Sequence, residues 1–331
     1  MFALALAATA VQPQPGGLKT FGDWAVGCDN VRACRAVALI PENDDGDRHL
    51  KLVIDRGGAP EATPILSFWA GDEPPTGPRT LRVDGQPVSL ATGDRLPVNR
   101  ALTSALVNGR RATLTDARGR TLASASLSGL AAASLYMDER QLRLGTASAL
   151  RRTGPKPDSA VPAPPPLPRI VQPATSAKPP RSVSPKAAAR LIGRDNAICD
   201  HAQAPVEPRA DRLDPDHSLV LVEHRCGNGA YNIMTSVFIV NEAGRVTPAT
   251  FDVPPGLNPE KDSVLVNGDW DTRARRLSEF PKARGLGDCG TLADYAWDGR
   301  RFRLVRLAQM DECRGSLDYI TTWRAAVTTA R

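Results

Sequence analysis

The sequence predicts an α+β fold that is mostly β: two small β-rich domains, each with one or two helices, joined by a proline-rich linker. Three observations carry this expectation. Short runs of alternating apolar and polar residues recur along the chain, separated by turn residues. Eleven of the 29 prolines fall between Arg151 and Pro185. The six cysteines divide evenly about that stretch, two before it and four after it. With 331 residues and only 5% aromatic side chains, two modest cross-linked cores are easier to build than one large core. The expected boundaries are a signal-like segment at 1–17, a first domain at 18–150, a linker at 151–185 and a second domain at 186–331.

Residues 2–10 form an apolar run that ends in Ala8-Thr9-Ala10, a small-x-small pattern. That length suits the hydrophobic region and cleavage site of a secretory signal. It is far short of the roughly 20 apolar residues a membrane span needs. No basic residues precede the run, which leaves room for a start further upstream. The reading is therefore export, to the periplasm or beyond, with no transmembrane segment.

The first domain opens on a hairpin. Trp24, Val26 and Cys28 alternate with Asp23, Ala25 and Gly27, Asp29-Asn30 turns the chain, and Cys34, Ala36, Ala38 and Ile40 alternate on the way back. Cys28 and Cys34 then face each other across two strands at bridging distance. Further strands are expected at 49–55, 65–69 and 79–83, the last turning at Asp84-Gly85 into 86–90. Asn99 caps a short helix that stops at Asn108-Gly109. A hairpin at 111–115 and 121–127 follows. Ser128 is then expected to cap a helix carrying Leu130, Leu135 and Leu142 and ending near Gly145.

Between 151 and 185, Val161-Pro-Ala-Pro-Pro-Pro-Leu-Pro168 can neither continue a helix nor donate a full sheet ladder. An extended, solvated polyproline-II spacer is expected. The second domain is expected to begin with a helix over 186–199, with Ser184 as N-cap and Pro185 at its first position. Strands follow at 219–226, 231–240 and 245–253. Tyr295-Ala-Trp297, Asp298-Gly299 and then Phe302, Leu304 and Leu307 give the best local hairpin signal.

No Cys-x-x-Cys occurs, and the spacings of Cys28, Cys34, Cys199, Cys226, Cys289 and Cys313 fit neither zinc sites nor thioredoxin chemistry. Structural disulfides in an oxidising compartment are the better reading. Six cysteines allow 15 connectivities. The nearest-neighbour choice is Cys28–Cys34, Cys199–Cys226 and Cys289–Cys313. By chain entropy the first contributes about 2–2.5 kcal/mol and the others about 3.5 kcal/mol each.

The net charge of +6 is a property of the linker region. Residues 151–190 hold eight Lys or Arg against one acidic residue, and the rest of the chain has 34 basic against 35 acidic. Aromatic residues do not interleave with the linker charges, so nucleic acid is excluded as a partner class.

Several segments carry a resemblance. Phe21-Gly-Asp-Trp24-Ala-Val-Gly-Cys28-Asp-Asn30 with Cys34-Arg35-Ala36, Met137-Asp-Glu-Arg-Gln-Leu-Arg-Leu-Gly145-Thr146, Gly229-Ala-Tyr-Asn232, Arg284-Gly-Leu-Gly-Asp-Cys-Gly290 and Cys313-Arg-Gly315 are the segments concerned. Together they resemble a proteobacterial envelope family without assigned activity, the domain-of-unknown-function family numbered 1176. More distantly, the opening strand and Ser126-Leu-Ser-Gly129 are similar to the invasion-associated locus B family. The resemblance implies an exported β-rich protein and supplies no catalytic residues. Among the polar residues of these segments, Asp29, Arg35, Arg284, Asp288 and Arg314 are the candidate binding positions.

The most chemical of these motifs is Gly287-Asp-Cys-Gly290, a loop type that presents the nucleophile in viral chymotrypsin-like cysteine proteases. His201, His217 and His224 lie upstream of it. Against that, Cys289 has an obvious partner in Cys313, and glycines allow sharp turns beside a disulfide. Asn267, Asp269 and Asp271 are spaced like calcium ligands, but Thr272 and Ser278 stand where that loop needs Gly and Glu. The four histidines form no zinc-enzyme motif, and no nucleotide fingerprint or serine elbow is present. No metal, cofactor or catalytic set is implied. The expected function is an exported, non-catalytic binding or interaction module of the cell envelope, meeting another envelope protein or a cell-wall component. The alternatives are a cysteine-nucleophile hydrolase centred on Cys289 and a purely structural envelope protein.

Overall fold

The computed structural model describes residues 12–44, 48–71, 77–91, 93–193, 205–255 and 263–330. The signal-like run, Cys199 and His201 lie outside the described residues. The first half contains strands β1 (Lys19–Phe21), β2 (Trp24–Cys28), β3 (Cys34–Ala38), β4 (Leu50–Arg56), β5 (Ile65–Ala70), β6 (Arg79–Val83), β7 (Gln86–Ala91) and β8 (Arg95–Pro97). Helix α1 (Arg100–Asn108), strands β9 (Arg111–Thr115) and β10 (Thr121–Ser126) and helix α2 (Leu130–Arg140) complete it. One antiparallel sheet has the order β1-β2-β3-β4-β5-β8, and a second has the order β10-β9-β6-β7. Trp24, Leu52, Phe68, Leu81, Leu114 and Leu130 bring both sheets and α2 into one core.

The alternation in β2 predicted one buried face, yet all five of its residues are buried. Trp24, Val26 and Cys28 enter the first-half core. The opposite face, with Ala25, Val37, Leu39 and Val53, packs against Ala308, Met310, Tyr319 and Ile320 of the second half. Small and branched apolar residues fill both faces because a second layer covers the strand.

Helix α1 starts as expected, with Asn99 Oδ1 accepting from Leu102 N at 2.9 Å. Helix α2 does not. Its N-cap is Gly129 at φ 95°, without a side-chain cap, instead of Ser128. A Cβ at Gly129 would lie 1.7 Å from the Phe21 carbonyl oxygen, so backbone approach excludes any other residue. The helix also ends at Arg140, which leaves Leu142 outside it and 53% exposed.

The proline-rich segment is extended but docked. Val161 and Ile170 are buried, and Arg32 donates to Pro162 O at 3.1 Å. Strand β11 (Arg169–Gln172) pairs in parallel with the C-terminal strand β22 (Ala326–Thr329). The expectation of a solvated spacer is corrected here, because Arg-Ile-Val-Gln is free of proline and keeps its N–H groups for a ladder.

Between these two strands lie helix α3 (Pro185–Leu191) and strands β12 (Arg209–Arg212), β13 (His217–Glu223), β14 (Met234–Asn241), β15 (Val246–Pro248), β16 (Val264–Val266), β17 (Asp269–Asp271), β18 (Arg276–Glu279), β19 (Gly290–Trp297), β20 (Phe302–Met310) and β21 (Ile320–Arg324). Ser184 Oγ caps α3 from the predicted position, but the helix turns at Gly193 (φ 76°), well short of the expected 199. Strands β12–β16 form one antiparallel sheet and β17–β21 another. Leu219, Val237, Tyr295, Trp297, Phe302 and Trp323 form the core between them. Trp24, Trp270, Trp297 and Trp323 are buried. Trp69 is half-buried, with Lys51 Nζ 6.0 Å from its ring centre.

Candidate functional site

The five candidate binding residues lie at or near the seam where the two halves meet, and their polar groups are engaged within the protein. Asp29 accepts from Val31 N and Ala33 N and pairs with Arg324. Beside it, the Asn30 side chain exchanges two hydrogen bonds with the Arg324 backbone, at 2.8 and 3.0 Å. Arg35 forms a two-pronged pair with Asp55 at 2.7 and 3.0 Å and reaches Tyr319 O. Arg314 donates to Ile40 O and Gly22 O and pairs with Asp23. These contacts hold the halves together.

Asp288 is buried, accepts from Gly315 N at 2.7 Å and is gripped by Arg284. The Arg284 bond holds its carboxyl below the usual carboxylate range. A depressed folded pKa supplies stability above the unfolded value, and that stability is lost as pH falls through the folded value. Thermal midpoints of wild type and Asp288→Asn are therefore expected to differ fully above about pH 5 and to converge as pH falls through the lowered folded value. A difference independent of pH would show that the carboxylate charge is not what holds this turn.

Cys289 is bonded to Cys313, as Cys28 is to Cys34. Cys226 is also disulfide-bonded. With its sulfur in a disulfide and its residue 1% exposed, Cys289 has no thiolate to offer. The glycine beside it is a packing requirement: at Gly290 (φ 140°) a Cβ would sit 2.2 Å from Pro281 O. His224 Nε2 lies 2.7 Å from Ser236 Oγ. His217 Nδ1 lies 2.9 Å from Asp214. The calcium-like triplet does not converge. Asn267 accepts from Ile233 N and donates to Phe280 O. Asp269 pairs with Arg209, and Asp271 accepts from Ala274 N. Among the described residues no group of three or more His, Cys, Asp or Glu is placed to hold a metal ion.

A different cluster has the features of a site. Asp138, on α2, is fully buried and accepts from Leu150 N and Arg151 N at 2.7 Å each and from Arg152 N at 3.3 Å. One turn on, Gln141 donates to the carbonyls of Arg32, Arg56 and Gly57. Arg143, also fully buried, donates to Pro60 O and Ser148 Oγ. Arg56 is 2% exposed and donates to Ala62 O and Ser148 O at 3.0 and 2.8 Å. Burial, and then repulsion from Arg143, pull the Arg56 guanidinium down to about 10, which leaves it charged at neutral pH.

This network braces the 147–151 loop against the 60–64 loop, and the two loops with α1 enclose a cleft of about 490 Å³. Arg56 lies in its wall, Arg100 and Arg151 line it as exposed cations, and Thr103, Ser104 and Asn108 line it from α1. Val98, Val107 and Leu150 supply apolar wall. Glu61 and Asp158 are the acidic residues, and Asp158 is engaged by Ser148 N. A cleft with a buried arginine, hydroxyl and amide groups and a partly apolar wall suits a small polar ligand carrying an anionic group.

Sequence reasoning missed this cleft. Arg56 directly follows the strand expected at 49–55, and only the fold shows that its guanidinium is buried. Asp138, Gln141 and Arg143 do lie within a segment singled out for its resemblance. Their signal was polar residues placed where the apolar stripe of α2 should continue.

A curated relative, the uncharacterized protein YpfG of Escherichia coli (strain K12), is 29% identical over 339 residues, covering 95% of this chain and 93% of that one. Among solved structures, invasion associated protein b from Bartonella henselae aligns with 38% of this chain and 99% of its own, at 16% identity and a TM-score of 0.28. The family model described as a protein of unknown function (DUF1176) runs through residues 18–329, taking in both halves, the docked segment and the seam, and the chain belongs to that family.

Proposed function

We propose that the protein works outside the cytoplasm, in the periplasm or beyond, as a non-catalytic module that binds a carboxylate-bearing cell-wall peptide in the Arg56 cleft. The observation that carries this reading is a charged arginine, 2% exposed, in the wall of a cleft of about 490 Å³. Burying a cation without a directly bonded carboxylate is costly unless carbonyls or an incoming anion offset it. The disulfides favour an oxidising compartment. No described helix is long and apolar enough to cross a membrane. The cysteine hydrolase is not retained, because Cys289 is oxidised.

Titration calorimetry with a soluble cell-wall stem peptide tests the reading. Arg100→Ala with Arg151→Ala removes two exposed cations from the cleft and leaves the buried network in place. The wild type is expected to bind, and the double variant to lose at least about tenfold in affinity, the scale of one charge-assisted hydrogen bond. No binding by the wild type, or equal binding by both, overturns it.

A further inference from the structure

The second half carries a separate cleft of about 380 Å³, and its chemistry differs from the first. Arg245, Arg300 and His217 line it together with Thr247 and Thr250, and no carboxylate among the described residues does. His217 is held by a built arrangement. Both oxygens of Asp214 lie within 3.0 Å of its Nδ1. Asp214 is itself 3% exposed and accepts from Asp216 N and His217 N at 2.8 Å and from Trp297 Nε1 at 2.6 Å. The imidazole stands edge-on to the Trp297 ring, with centroids 5.5 Å apart. Tautomer and ring orientation are thereby fixed: Nδ1 carries its proton toward the carboxylate, and Nε2, on the far edge of the ring, is left without a partner among the described residues. Neither the Arg245 nor the Arg300 guanidinium has an ion-pair partner among the described residues.

We infer that this cleft is a binding site for a phosphate group. A phosphate there pairs with the Arg245 and Arg300 guanidiniums and forms a hydrogen bond with Nε2 of His217, while the threonine hydroxyls supply neutral donors. The chain carboxylate–imidazole–phosphate then engages both ring nitrogens. No covalent step is involved, and the site is independent of the Arg56 cleft.

The test is an NMR titration of the full chain with inorganic phosphate, following the His217 ring signals. The expected result is a saturable shift of His217 that His49 and His224 do not share. Arg300→Ala, on an exposed turn, and His217→Asn, whose amide keeps the Nδ1 position but removes Nε2, are each expected to weaken binding about tenfold. Binding in the asparagine variant is read from amide signals of β15, and its fold from an unchanged urea midpoint. Arg100→Ala is expected to bind phosphate like wild type. A linear, non-saturating shift, or equal affinity in Arg300→Ala, overturns the site. Sedimentation with phosphatidylglycerol vesicles then distinguishes sources. Phosphate-competed co-sedimentation assigns a lipid headgroup, and phosphate binding without co-sedimentation assigns a soluble phosphate.

Discussion

Asp138→Ala is expected to cost about 3–5 kcal/mol of stability, the scale for removing one partner from a buried charged network. The carboxylate satisfies three backbone N–H groups at 150–152 and, with Asp158, supplies negative charge that acts on both Arg56 and Arg143. Alanine leaves those N–H groups without an acceptor, and each buried unsatisfied donor carries a desolvation cost of about 1–3 kcal/mol. Asparagine is expected to recover little, because its amide has one acceptor oxygen and its NH₂ faces donors. Urea unfolding gives the stability directly. The same variants are expected to lose ligand binding, since Leu150 and Arg151 line the cleft that Asp138 positions. A loss below about 1 kcal/mol would mean that water replaces the carboxylate, and the network would then not be what shapes the cleft.

Much of the fold was legible because local chemistry decided it. Asn99 and Ser184 cap their helices from the predicted positions, and β6, β9 and the Trp297–Phe302 hairpin stand where the alternation put them. The failures have a common cause in tertiary contact. Ser128 lost its capping role to Gly129 because the Phe21 carbonyl passes 1.7 Å from where a Cβ would be. The short strands β12, β16, β17 and β18, three or four residues each, are too brief to show a period. Strand β11 was hidden by the prolines that flank it, and its partner lies more than 150 residues away in sequence. The site followed the same rule. Charged residues in the family-like segments drew attention, and Asp29, Arg35, Asp288 and Arg314 proved to be occupied at or near the seam. Arg56, Asp138 and Arg143 were given no role by the sequence, and a contact pattern no local window contains made them a buried network.

Replacing Cys289 and Cys313 together by alanine is expected to lower stability by about 3.5 kcal/mol, the loop-closure entropy of a cross-link spanning 24 residues. Cys28–Cys34, spanning six, is expected to contribute less, about 2–2.5 kcal/mol. Where the loss is felt matters more than its size. The bridge joins the loop bearing Asp288 to the turn bearing Arg314 and Gly315. It thereby fixes Gly315 N on Asp288 and the Arg314 guanidinium on the Gly22 and Ile40 carbonyls of the first half. Cys289 itself packs in the shared core with Ala25, Val37 and Met310. Hydrogen exchange is therefore expected to accelerate in β2 as well as in β20 when the bridge is removed, with Ala25 and Val26 amides losing protection alongside Ala308. Exchange confined to β20 would make the halves energetically independent. Shared acceleration makes the seam part of one cooperative unit, with the Arg56 and His217 clefts carried at fixed positions on a single body.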